Sequence, residues 1–195
     1  MPPSSTLTAK LQNAIIFFIK QDRTVKLTKL MKLLYYLDFR HYRETGHSVT
    51  GQVYTAWPKG PVPVDVWAEI RNSADRNCGV RNIVTILPTD PNTDDFGFDL
   101  RLRSGQRFDD YYFTKRELKI LHEVSEIFKG VAANKIVDAT HMPGQPWKKT
   151  WETKGQDAVI DYDLVLEGCD EEYIRDIKEE QRDRQALSDF FGTAL

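Results

Sequence analysis

At 195 residues, 41% hydrophobic and 29% charged, the chain has the size and balance of one domain that buries its own core. Its net charge of −2 divides unevenly: residues 1–150 hold 22 Lys and Arg against 16 Asp and Glu, and residues 151–195 hold 5 against 13. A basic body with an acidic tail suits a protein partner or an internal clamp, lacks the strong positive excess of a nucleic-acid binder and, with its longest apolar run only six residues (14–19), gives no membrane span.

Leu7, Leu11, Ile15 and Phe18 fall at helical spacing and predict a first helix from residue 6 or 7 to 20. After a polar break, a second helix is predicted over 27–45, with Leu27, Leu30, Leu34, Leu37 and His41 on one side and Met31, Leu33 and Tyr36 broadening it. Gly46 supplies a left-handed stop, and so wide an apolar face marks the central helix of a domain. Lys26, Lys29 and Lys32, spaced by three, read as its solvated face. Residues 49–57, β-branched and aromatic, read as a strand. Trp57, Pro58, Lys59, Gly60, Pro61, Val62 and Pro63 then form a rigid loop, its three prolines fixing φ and removing donors. A third helix follows over 64–73, with Val66, Trp67 and Ile70 inward.

Residues 83–87 read as a second strand. Phe96, Phe98, Leu100 and Leu102 alternate with Gly97, Asp99, Arg101 and Arg103 as a third, and the polar stretch 88–95 makes the two an antiparallel hairpin. Thr114 and Glu117 form a capping box opening a helix to about 129, with Leu118, Leu121, Val124 and Phe128 as its stripe and Gly130 at its end. A shorter helix is predicted at 133–139, and a helical piece carrying Trp147 and Trp151 closes an otherwise irregular 140–151. Residues 161–166 fit no single class. The last helix starts near Asp170, with Glu171 and Glu172 against the positive end of its dipole, and is polar all round over 179–185. The whole reads as an α+β, mainly helical single domain with a small antiparallel β-sheet.

Few residues point to chemistry. His141 titrates near neutral pH, but no serine elbow or cysteine nucleophile stands beside it, and a structural histidine hydrogen-bonded in a turn is the better reading. His41, His47, His122, Cys78 and Cys169 show no metal or redox spacing, and Asp94-Asp95 and Asp109-Asp110 read as solvated loops. Neither a catalytic residue nor a metal or cofactor is expected. With no basic stretch leading into an apolar one near residue 1, and with cysteines that suit a reducing compartment, the expected location is the cytoplasm. The loop around Trp57 either presents a preorganised binding surface or tucks its tryptophan into the core. Leu187, Phe190 and Phe191 follow a polar helix and are expected to fold back on the domain, or to meet a partner or second subunit.

Three segments carry a resemblance: Leu27-Thr28-Lys29-Leu30-Met31-Lys32-Leu33-Leu34-Tyr35-Tyr36-Leu37, then Ala56-Trp57-Pro58-Lys59-Gly60-Pro61-Val62, then Thr140-His141 followed by Pro146-Trp147. In this order they resemble the Panacea antitoxin domain of SocA-like and phage-associated bacterial proteins. The resemblance implies a domain over about residues 1–165, with 166–195 an acidic helical extension packed on or next to it. It also implies an antitoxin that neutralises a cognate toxin, encoded by an adjacent gene, through direct binding rather than catalysis. Trp57, Pro58, Lys59, Gly60, Pro61, His141, Trp147, Phe190 and Phe191 are the candidate partner-binding residues. A homodimer, a proteolytic adaptor delivering the toxin to a protease, and an operon-binding regulator stay open as alternatives.

Overall fold

The computed structural model describes residues 5–72, 79–88 and 98–191, with side chains placed for 8–71, 79–87 and 98–190. Helix α1 (Ser5–Gln21) buries Ile15, Ile16, Phe17 and Phe18 in the core it shares with α2 (Leu27–Thr45), and α2 is buried over most of its length, with Arg43 exposed near its end. Gly46 ends α2 at φ 71°, its amide donating to the Tyr42 carbonyl, as its lack of a β-carbon allows. Helix α4 (Lys115–Phe128) packs on α2 and also touches α1, and its capping box forms as expected. Thr114 accepts from the Glu117 amide at 3.2 Å, and Glu117 accepts from the Thr114 amide at 2.7 Å. Glu117 also takes Lys10 of α1 at 2.7 Å, so one carboxylate caps α4 and ties it to α1.

Two hairpins complete the body. β3 (Val84–Pro88) pairs antiparallel with β4 (Phe98–Leu102), and Leu100 is the buried member of that strand. The expected turn at 88–95, the strand start at Phe96, Asp94-Asp95, the helix end at Ser73 and Cys78 lie wholly or largely outside the described residues. The first hairpin departs from expectation. Residues 49–53 are not strand, and the proline loop is instead a two-residue turn between β1 (Tyr54–Trp57) and a second strand, β2 (Gly60–Pro63).

Both differences have a physical cause. Buried Asp38 of α2 accepts the amides of Val49 and Thr50 at 2.9 and 2.8 Å, so these donors go to a carboxylate rather than a sheet partner. It also accepts the Tyr54 hydroxyl at 2.7 Å, which anchors the start of β1. Burial pushes this carboxyl up to about 6 against those hydrogen bonds, which pull it down. In β2 the prolines alternate. Ala56 spends its amide on Ala158, on the far edge of β1, at 2.9 Å, so Thr55 and Trp57 face β2. Pro61 and Pro63 stand opposite Ala56 and Tyr54, where β2 needs no donor.

Helix α3 (Val64–Asn72) follows β2 directly and buries Val66 and Ile70, while Trp67 is half-buried. α5 (Ala133–Thr140) and α6 (Pro146–Lys154) close the side of β1 and β2, and a 3-10 turn over Tyr162–Val165 stacks Tyr162 on Phe39 at 4.3 Å.

Helix α7 (Glu171–Phe191) docks by its first half only. Tyr173 donates to the Arg43 carbonyl at 2.6 Å, Gln181 donates to the Gly46 carbonyl at 2.6 Å, and Lys178 pairs with Asp163 at 2.6 Å. Beyond Gln181 the helix is almost wholly exposed, Leu187 at 49% and Phe190 at 82%, so Phe190 does not fold back into the core. The side chain of Phe191 lies outside the described residues. Truncation after Gln185 is therefore expected to change unfolding free energy by no more than about 0.5 kcal/mol. A fall in melting temperature of several degrees on that truncation would show that the arm packs on the body.

Candidate functional site

The three signature segments, far apart in the chain, interlock around the first hairpin. Lys32 from α2 donates to the Pro61 carbonyl at 2.8 Å. That carbonyl points away from β1 by strand alternation and would otherwise be a buried acceptor without a donor. Trp147 of α6 donates its indole N–H to the Trp57 carbonyl at 3.0 Å. Gly60, at φ 96°, presses its α-carbon between Lys32 and Thr140: a β-carbon there would lie 2.7 Å from Thr140 Oγ1 and 2.8 Å from Lys32 Cε. His141 lies flat on Trp147, ring centroids 3.8 Å apart.

Lys29 and Lys32 are thus not a solvated face: they are 2% and 1% exposed. Helix α2 is covered by α1, α4, β2 and α5 around these two lysines, and water reaches it chiefly near its C-terminal end, at Arg43. Lys29 is neutralised, bridging Asp22 at 2.8 Å and the Val131 carbonyl at 2.7 Å. Burial would raise the Asp22 carboxyl, but hydrogen bonds from Lys29, Thr24 and Gly130 outweigh it and hold the group far below the usual range. Lys32 has the Pro61 carbonyl and no carboxylate partner among the described residues, and burial alone pushes its ammonium down to about 7. His141 differs from its expected role too. Its backbone amide closes α5, while its ring is held by stacking and its Nε2 is buried with no hydrogen bond among the described residues. Burial first, and then the positive charges of Lys32 and Lys148, lower its pKa.

Above this joint lies an open apolar cleft of about 290 Å³. Leu27, Met31 and Lys32 form one wall, Trp57 and Val62 the hairpin side, and Trp67 of α3 the end. Trp57 and Trp67 meet edge to face, centroids 4.9 Å apart, each half-buried. Of the candidate residues, Pro58 and Lys59 are exposed at the hairpin tip and Trp57 is on the cleft wall. Gly60, Pro61 and Trp147 are buried beneath it, His141 is half-buried, and Phe190 stands on the exposed arm of α7. Sequence reading passed over Trp67, which it treated as core, and Lys32. The signal for Lys32 was present: the helix was already read as apolar around most of its circumference, which leaves a lysine no outer face.

No group of three or more His, Cys, Asp or Glu side chains that could hold a metal occurs among the described residues, and no described helix is long and apolar enough to cross a membrane. The fold is a mainly helical α+β domain with an open apolar cleft beside its first hairpin. The antitoxin SocA-like, Panacea domain model matches residues 30–148, and the chain belongs to that family. No curated protein and no solved structure was found to match it.

Proposed function

We propose that this chain is the antitoxin of a toxin–antitoxin pair and neutralises its toxin by direct contact, without catalysis, through the cleft beneath Trp57 and Trp67. Family membership supports the antitoxin role, and the open apolar cleft at the joint of the three signature segments carries the choice of surface. The hairpin that forms its wall is held by Lys32, Trp147 and Asp38, so presenting Trp57 costs little ordering entropy. Tryptophan is among the side chains that dominate binding energy when a partner excludes water from it. Among the described residues its lining is apolar apart from Thr28, Lys32 and Lys59, so a toxin segment that seats an apolar side chain fits it.

The test is growth with the adjacent gene expressed alone and then with this chain, followed by co-purification. Arrest relieved by co-expression is the expected result, and arrest left untouched would remove the antitoxin reading. With a complex in hand, Trp67→Ala is expected to weaken toxin affinity about 30-fold, the loss of a buried aromatic anchor worth about 2 kcal/mol. Full affinity in both Trp57→Ala and Trp67→Ala would move the contact to another face and leave the antitoxin role standing.

A further inference from the structure

Helix α7 turns Tyr173, Ile177 and Gln181, four residues apart, toward the body. The opposite side, at steps of three and four, carries Glu172, Asp176, Glu179 and Asp183, and then Leu187 and Phe190. No Lys or Arg falls on this outward stripe, and every member of it is exposed. Arg175 shares its charge between Glu172 and Asp176, whereas Glu179, Glu180 and Asp183 enter no ion pair among the described residues. The arm beyond Gln181 therefore presents unpaired carboxylates followed by two large apolar side chains.

The complementary surface is an open groove of about 550 Å³ between the end of α1 and β4. Its floor is Ile19, Leu100 and Leu102, and its rim is Lys20, Arg23 and Arg101, all three exposed. None of these cations has a carboxylate partner among the described residues, and no carboxylate lines the groove. The nearest acid in sequence, Asp22, is spent on Lys29, Thr24 and the Gly130 amide. No aromatic ring lines the groove either, so it offers a nucleic-acid base no stacking platform. An acidic segment that ends in apolar side chains matches both its rim and its floor.

The arm cannot reach the groove of its own chain. It leaves the body at Gln181, which is tied to Gly46 at the C-terminal end of α2, whereas the groove opens beside the start of α2. The 19 residues of α2 separate the two by about 28 Å, and the helix from Gln181 to Phe191 spans only about 15 Å. We propose that the chain forms a dimer in which the arm of each copy lies in the α1–β4 groove of the other. Glu179, Glu180 and Asp183 face Lys20, Arg23 and Arg101, and Leu187 and Phe190 cover the apolar floor. The exchange is reciprocal, so it closes at two copies. The groove shares no residue with the cleft at Trp57 and Trp67, and the dimer does not rest on the antitoxin reading.

The experiment is sedimentation equilibrium of the full chain from low micromolar to near millimolar concentration. A monomer–dimer equilibrium that weakens with added salt is expected. Truncation after Gln185 is expected to leave a monomer throughout, with an unchanged melting temperature at low micromolar concentration, where the copies are apart. Reversing the arm (Glu179→Lys with Asp183→Lys) or the groove (Arg23→Glu with Arg101→Glu) is expected to weaken association about tenfold or more. All four substitutions in one chain are expected to restore it, which loss of folding or a general charge effect would not do. A monomer at every concentration overturns the dimer, and a dimer that survives truncation or either reversal overturns the seating of arm in groove. A monomer whose truncation weakens toxin binding assigns the arm to the toxin and overturns the second copy as its occupant.

Discussion

Replacing Gly60 with alanine is expected to destabilise the domain by about 2–5 kcal/mol, because it combines backbone strain at positive φ with overpacking of a filled site. At φ 96° an L side chain is strained whatever space surrounds it. Here there is also no space: the added methyl would overlap Thr140 Oγ1 and Lys32 Cε. The two neighbours differ in how far they can yield. Cε is near the end of a flexible side chain, whereas Thr140 is fully buried and its hydroxyl is held by the Val137 carbonyl at 2.7 Å. Urea unfolding of Gly60→Ala and Lys59→Ala makes the check, the latter being exposed on the same turn and expected within about 0.5 kcal/mol of the parent. In a cycle with Lys32→Ala, which by itself costs the Pro61 hydrogen bond, the two losses should be less than additive, because one of the two overlaps is gone while the strain and the other remain. A loss below about 1 kcal/mol in the single variant would mean that the three segments can part at this point without cost, against the tight joint described above.

How much of this was legible beforehand depended on whether the deciding interaction was local. The bounds of α2, the glycine stop at Gly46 and the capping box of α4 were readable because each depends on residues within one or two turns. The first hairpin was not. Its shape is set by the carboxylate of Asp38, sixteen residues before Tyr54, and by the segment at 157–160, about a hundred residues later, which takes the far edge of β1. Prolines normally argue against a strand, and only the pairing shows that Pro61 and Pro63 fall where no donor is needed. The three signature segments were readable as a family resemblance, yet not as one joint. That required knowing that the Lys32 ammonium ends on Pro61 and the Trp147 indole on Trp57. The lysine spacing on α2 misled because periodicity describes one helix face at a time, and here the faces that carry Lys29 and Lys32 each have a covering element.

Lys32→Met is expected to reverse its effect on stability between acid and alkaline pH. The ammonium is pushed from its ordinary 10.5 to about 7 by burial. Between those values the unfolded chain carries a proton on this amine that the folded chain does not, so stability rises with pH. The contribution is complete above the unfolded value and is lost as pH falls through the folded one, with a slope approaching about 1.4 kcal/mol per pH unit. Methionine has nothing to titrate and nearly the same length, but it leaves the buried Pro61 carbonyl without its donor, a pH-independent cost of about 1–3 kcal/mol. Near pH 6 the parent holds a buried ammonium with no carboxylate beside it, and the variant is expected to be as stable or more so. Near pH 10 the parent has a neutral amine still donating to Pro61, and the variant is expected to be weaker by about the cost of that hydrogen bond. Asp38 titrates in both proteins and cancels in the difference, whereas His141 feels the Lys32 charge, and removing that charge lets the His141 pKa rise, which favours the variant on the acid side only. Denaturant unfolding of both proteins across this range gives the answer. A stability difference that stays constant with pH would show that Lys32 keeps its charge in the fold and would overturn the lowering of its pKa by burial.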